Sequence, residues 1–153
     1  MRIAFDLDST LIAHGNEFET EKPFKWLLAK LLSHVELRRG TRAIFEYCRK
    51  NNWEIWIYTT SFRSPVYIKK LFWLNGIALD GVVNQERHQK EVTVKSSKYP
   101  PHFSIDWLID DSKGVEMEGE RFGFNVIQIN PDDKNWVEII KNRLNNFQVP
   151  PSV

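Results

Sequence analysis

Ile3–Thr10 reads I-A-F-D-L-D-S-T, a short apolar run that ends in two aspartates, Asp6 and Asp8, and then in two hydroxyls. An apolar run of this length predicts a buried strand. Two carboxylates at i and i+2 on extended chain point to the same side. Buried charge without a partner is expensive. A strand ending this way therefore needs a compensating cation, and a divalent metal is the natural candidate.

The surrounding composition is that of an ordinary globular chain. Of 153 residues, 42% are hydrophobic and 27% charged, with a formal net charge of +1. The length suits one domain with one sizeable core, expected over residues 1–147, with 148–153 as a loose tail. The charge balance carries no electrostatic footprint for generic nucleic-acid binding. Six Trp and ten Phe predict a core built from large side chains. Cys48 is the one cysteine, so no internal disulfide can form. No run approaches the roughly 20 apolar residues of a membrane span, and no membrane partner is expected. Acids fall inside what would be the apolar part of a signal peptide, so the chain is expected to be cytoplasmic.

Outward from the first strand, helices and strands alternate. Pro23 opens an amphipathic helix over about 23–34, with Phe24, Leu27, Leu28, Leu31 and Val35 at helical spacing. A second helix is predicted over 41–51, then a strand W-E-I-W-I-Y at 53–58 that ends in Thr59, Thr60 and Ser61. Ser64-Pro65 starts a helix that stops at Asn75-Gly76. A short strand fits 80–84. The polar segment 85–101 offers at most a short strand at Val92–Val94. Ile105–Ile109 is a strand ending in Asp110-Asp111; 124–129 is another strand and 133–146 the last helix. This alternation predicts an α/β fold, a doubly wound parallel sheet with helices on both faces.

In such sheets ligands bind at the carboxyl ends of the strands. There the chain would gather Asp6 and Asp8, Thr59 and Thr60, a lysine from the segment before the third strand, and Asp110 and Asp111. An oxygen-only donor set of this kind suits Mg²⁺. An ionised aspartate beside the metal could attack phosphorus, hydroxyls and a lysine could neutralise the phosphoryl oxygens, and a second acid could carry the proton. Blander readings exist for each piece: Asp8 as a loop cap, Asp110-Asp111 as a helix N-cap, and Arg87, His88 and Lys90, like Arg38, Arg39 and Arg42, as solvated surface. His14 and His102 read as ordinary loop residues.

Asp6-Leu7-Asp8-Ser9-Thr10 on a strand end resembles the D-x-D-x-T motif of the haloacid dehalogenase (HAD) superfamily of phosphohydrolases. Thr59 looks like the family's second motif and Asp110-Asp111 like its fourth, and the order agrees from about residue 2 to 130. The resemblance implies that Asp6 is the nucleophile and a Mg²⁺ ligand. It makes Asp8 the general acid/base, with its backbone carbonyl on the metal. Thr59, with Thr60 beside it, would bind the phosphoryl group, and Lys95 would be the motif lysine, with Lys98 and Lys90 as competitors. Asp110 and Asp111 would complete the metal site, with the division of labour between them open. The enzyme so implied is a Mg²⁺-dependent phosphatase working through an aspartyl-phosphate; a phosphotransferase with the same intermediate, or a non-catalytic module on the same fold, is the alternative.

Neither 12–40 nor 62–94 has room for a full cap domain. That is similar to the capless branch containing the C-terminal-domain phosphatases and the small magnesium-dependent phosphatases. An open site fits a phosphorylated substrate as large as a phosphoprotein or a nucleic-acid end, or an oligomer that closes over its own site.

Overall fold

The structure, a computed structural model, describes residues 1–31 and 35–148. Five parallel strands form the central sheet: β1 (Arg2–Phe5), β4 (Glu54–Tyr58), β5 (Gly81–Val83), β6 (Trp107–Asp110) and β7 (Asn125–Gln128), in the order β5-β4-β1-β6-β7. Successive strands step outward from β1 on one side, then restart on its other side. The reversal falls between β1 and β6, where Ile3, Ala4 and Phe5 pair with Trp107, Leu108 and Ile109. The fold class expected from the alternation is the one observed.

β1 is the centre because both its faces are apolar. Ile3 and Phe5 enter a core with Phe45, Phe72, Trp136 and Ile140, whereas Ala4 enters a second core with Tyr58, Leu108, Val115 and Phe124. The first core is covered by α2 (Thr41–Lys50), α3 (Pro65–Leu74) and α6 (Trp136–Gln148), the second by α5 (Lys113–Phe122) and a 3₁₀ turn at Pro100–Phe103. Burial on both faces is what favours continuous apolar strands in a parallel sheet. Gly40 before α2 has φ 98°, and a Cβ there would lie 2.8 Å from Val137. Only glycine supplies both that conformation and that closeness. Cys48 is buried in the first core, which pushes its thiol up to about 12.

Several elements depart from expectation. The segment 85–101 contains a helix, α4 (Gln85–Glu91), capped by the Asn84 side chain accepting from Arg87 N–H at 3.0 Å; Val92 is its C-cap, and 92–94 is not a strand. The cap signal was present, but a polar helix with one buried side chain, His88, has no apolar period to find. A short antiparallel pair, β2 (Thr20–Glu21) before Pro23 with β3 (Leu37–Arg38) after it, is also present. Between them α1 covers Trp26–Leu31, so the helix begins after Pro23, Phe24 and Lys25 and not at Pro23; residues 32–34 of the 23–34 prediction lie outside the described residues. Its apolar stripe is not core: Phe24, Leu27 and Leu28 are exposed. α6 starts at Trp136, later than 133, and includes Gln148; residues 149–153 of the expected tail lie outside the described residues.

Candidate active site

The ladder delivers the acids. Asp6 N–H donates to Ile109 O at 2.8 Å, so Asp6 continues β1 beside β6 and stands next to Asp110. Both are buried, at 6% and 1% exposure. Lys98 lies between them, 2% exposed; its Nζ donates to Asp6 Oδ1 and, at 2.5 Å, to Asp110 Oδ2. Burial drives the Asp6 carboxyl up to about 7, with the Lys98 ammonium opposing and Asp110 adding to the rise. Burial pulls Lys98 down, but the two carboxylates outweigh it and hold the ammonium above its ordinary range. A buried cation shared by two buried carboxylates is the arrangement that makes such charges tolerable.

This corrects the lysine assignment. Lys95 is exposed, and Lys98 is the one that reaches the acids. The reason is the path of 95–99, which is a bend held by side chains. His88 Nε2 pairs with Ser96 O at 3.0 Å, and His88 Nδ1 pairs with the Tyr58 hydroxyl at 2.5 Å. Glu118 accepts from Ser97 N–H and Oγ, at 2.8 and 2.6 Å. The Tyr58 hydroxyl accepts from Tyr99 N–H at 2.8 Å. Lys98 is thus fixed from both sides. His88, read as solvated from sequence, is buried, and burial lowers its pKa.

Around this pair sits the rest of the constellation. Asp8 is gripped by Arg63, whose Nη1 donates to Oδ1 at 2.9 Å, to Oδ2 at 2.7 Å and to Ser61 Oγ at 3.1 Å. His14 Nε2 stands 3.7 Å from Asp8. Arg63 was not singled out from sequence; its position two residues beyond Ser61, on the same strand exit, is the signal that could have found it. The Thr10 hydroxyl donates to Asp111 Oδ1 at 3.0 Å, and partial burial raises the Asp111 pKa, with that hydroxyl opposing. Thr59 is buried at the end of β4; its N–H donates to Val83 O at 2.9 Å and its Oγ1 accepts from Ser61 N–H at 3.1 Å. Thr60 is exposed.

Among the described residues, no three His, Cys, Asp or Glu side chains gather as a ready metal cluster. Asp6, Asp8, Asp110 and Asp111 share one strand edge, but each carboxylate already has a polar partner. Asp110 uses both oxygens, Oδ2 on Lys98 and Oδ1 on Ser112 N–H at 3.0 Å. Asp111 is held through one oxygen by Thr10. The donor chemistry, hard oxygens at the mouth of a buried carboxylate pair, is of the kind that suits Mg²⁺.

Arg38 was expected on a solvated helix start. It is 2% exposed and donates to four backbone carbonyls: Thr10 at 3.4 Å, Asn130 at 3.0 Å, and Pro131 and Asp133 at 2.9 Å each. It ties the loop after β1 to the turn after β7. A depression of about 750 Å³ lies beside it, between Glu17, Phe18 and Asp132, and none of the four site acids lines it.

Solved structures share this architecture. A predicted HAD-like family hydrolase from Porphyromonas gingivalis superposes with a TM-score of 0.52 at 16% identity, over 94% of this chain and 97% of its own. A HAD-superfamily hydrolase, subfamily IA, variant 1, from Geobacter sulfurreducens superposes with a TM-score of 0.53 at 15% identity, over 83% of this chain and 88% of its own. The fold is HAD-like. A chain of the Pnkp1/Rnl/Hen1 complex also superposes, with a TM-score of 0.53 at 12% identity, over 84% of this chain but 46% of its own. No protein-family model matches the sequence, and no curated protein matches it significantly.

Proposed function

We propose that this chain is a HAD-type, Mg²⁺-dependent phosphohydrolase that works through an aspartyl-phosphate on Asp6. The observation that carries the reading is Lys98, fully buried between Asp6 and Asp110. Three buried charged side chains give the core nothing that apolar side chains of the same volume would not, but this cation holds a nucleophilic carboxylate in place and meets the anion that carboxylate attacks.

In the reaction an Asp6 oxygen bonds to phosphorus as the bond to the leaving oxygen breaks. Asp8, released from Arg63 and protonated from solvent, gives that proton to the leaving oxygen. Asp8 then takes a proton from water, which attacks phosphorus, and the bond to Asp6 breaks to release phosphate. Thr59 and Lys98 hold the phosphoryl oxygens. Asp6, Asp111 and the Asp8 backbone carbonyl would hold Mg²⁺, with Asp110 reserved for orienting Lys98. The metal would neutralise charge between the carboxylate and the incoming phosphate.

An alcohol in place of water would make the same chain a phosphotransferase; products formed with an added alcohol acceptor separate the two. We place the chain in the capless branch, because the described part of the segment after β2 is a single short helix, α1, whose flank is tied to the end of α3 by Lys25 N–H donating to Leu74 O at 2.9 Å. That favours an accessible, even macromolecular, phosphate. No described helix is long and apolar enough to cross a membrane. The test is hydrolysis of an aryl phosphate with Mg²⁺, with chelator, and by Asp6→Asn. Activity is expected only in the first; equal rates in all three sink the proposal.

A further inference from the structure

Eleven large apolar side chains are exposed among the described residues, and nine of them lie within 24–35 and 62–73. These are α1, α3 and their flanks. On α3, Val66, Lys70 and Trp73 follow one stripe at i, i+4 and i+7 while Ile68, Leu71 and Phe72 point into the core. Val66 is 78% exposed and Trp73 52%. α1 extends the same surface: Lys25 N–H donates to Leu74 O at 2.9 Å, and Lys25 Nζ sits 3.0 Å from the Trp73 ring centroid. It adds Phe24, Trp26 and Leu27, exposed at 69%, 57% and 63%. A contiguous apolar surface of this kind marks a contact, because water is a poor neighbour for it.

Charge says with what. All 20 acids of the chain lie outside 22–35 and 63–79, whereas those two segments hold six of the 21 Lys and Arg. The remaining molecule is therefore net acidic. A second copy would set this cationic face against itself. Lysine is depleted from protein–protein contacts, yet Lys22, Lys30, Lys69 and Lys70 are exposed on this surface. A nucleic acid would use the aromatics for stacking, but Leu27 and Val66 offer no base a stacking face, and a long polyanion would meet the acidic remainder. An anionic bilayer uses everything present. Aliphatic and Phe side chains enter the headgroup–acyl boundary, Trp sits at the interface, and lysines meet the headgroups.

We propose that the α1–α3 face docks this protein onto an anionic membrane surface as a peripheral, non-spanning contact. The first turn of α3 follows directly on Phe62 and Arg63, so docking places the mouth of the strand-end site beside the headgroup layer. The proposal stands whether or not the site hydrolyses phosphate.

The full-length protein is pelleted with vesicles of phosphatidylcholine alone and of phosphatidylcholine doped with phosphatidylglycerol, while tryptophan emission is recorded. Expected is pelleting and a blue shift with the anionic vesicles only, reversed by high salt. Lys69→Glu/Lys70→Glu should lower the partition by tenfold or more, on the order expected for reversing two lysines near an anionic surface. Trp26→Ser/Leu27→Ser should lower the partition and shrink the blue shift, to which Trp73 also contributes, at an unchanged thermal midpoint. If that variant unfolds, the lysine variant and the wild-type salt titration decide. Absence of vesicle binding overturns the proposal. So does equal binding to both vesicles, or, without vesicle binding, oligonucleotide retention or dimerisation lost with the same substitutions.

Discussion

Asp6–Thr10 and Gln85–Tyr99 both deliver groups to one buried point, by opposite means. The first is an extension of a central strand, and sheet register places it: Asp6 follows Phe5, which pairs with both Ile57 and Ile109. The second has no sheet partner. Its lysine is aimed by side-chain hydrogen bonds from Tyr58, His88 and Glu118. Backbone placement is robust to side-chain change, whereas side-chain placement depends on a few identities. The two regions should therefore fail differently.

The largest contrast is expected within the second region. Lys98→Met should cost on the order of 10²–10³ in kcat/KM for an aryl phosphate and destabilise the fold by leaving Asp6 and Asp110 without their cation. Lys95→Met, three residues away, should stay within about twofold of wild type, because Lys95 faces solvent. Equal losses would dissolve the distinction between the two lysines.

Next comes the aiming device. His88→Ala removes the link between Tyr58 and Ser96 without touching the acids. A fall of about tenfold in kcat, with KM little changed, is expected from displacing Lys98; circular dichroism should show the fold intact. An unchanged kcat would mean that the bend holds itself. Glu118→Gln keeps the shape but weakens the charge-assisted hydrogen bonds that Ser97 N–H, Ser97 Oγ and Lys98 N–H donate to a half-buried carboxylate, so a fewfold loss is expected by the same assay.

How much could be read beforehand follows the same division. Asp6, Asp8, Thr59 and Asp110 stand on strand ends, and strands announce themselves by apolar runs. The V-T-V at 92–94 imitated a strand and drew the lysine assignment to Lys95. What decides the matter is Glu118 and His88, whose partners lie far away in sequence or behind a helix cap. Arg63 and Arg38 escaped for a related reason. A guanidinium that donates to a distant aspartate or to backbone carbonyls leaves no local pattern, and charge alone reads as surface. The short β2–β3 pair was equally silent, since two residues per strand carry no period.

The faintest expected signal lies in stability against pH, because Lys98 opposes part of it. Folded Asp6 is pushed up to about 7 from the ordinary 3.8. Between those values the folded chain holds a proton that the unfolded chain lacks, so this group's contribution to stability falls as pH rises through that window. In chelator, the stability advantage of Asp6→Asn over wild type should widen from about pH 4 to about pH 7. A constant gap would place Asp6 among ordinary surface carboxylates.

Arg38 carries a consequence for the covalent architecture. Its acceptors come from residue 10 and from residues 130, 131 and 133, so one guanidinium joins the first loop of the chain to its last turn. A version made as two polypeptides, divided between α5 and β7, would lack three of those carbonyls in its first piece. Complementation by the second piece should then restore the Asp6–Thr10 loop and the turn at 130–133 in a single step, so these two segments, distant in sequence, would behave as one mechanical part.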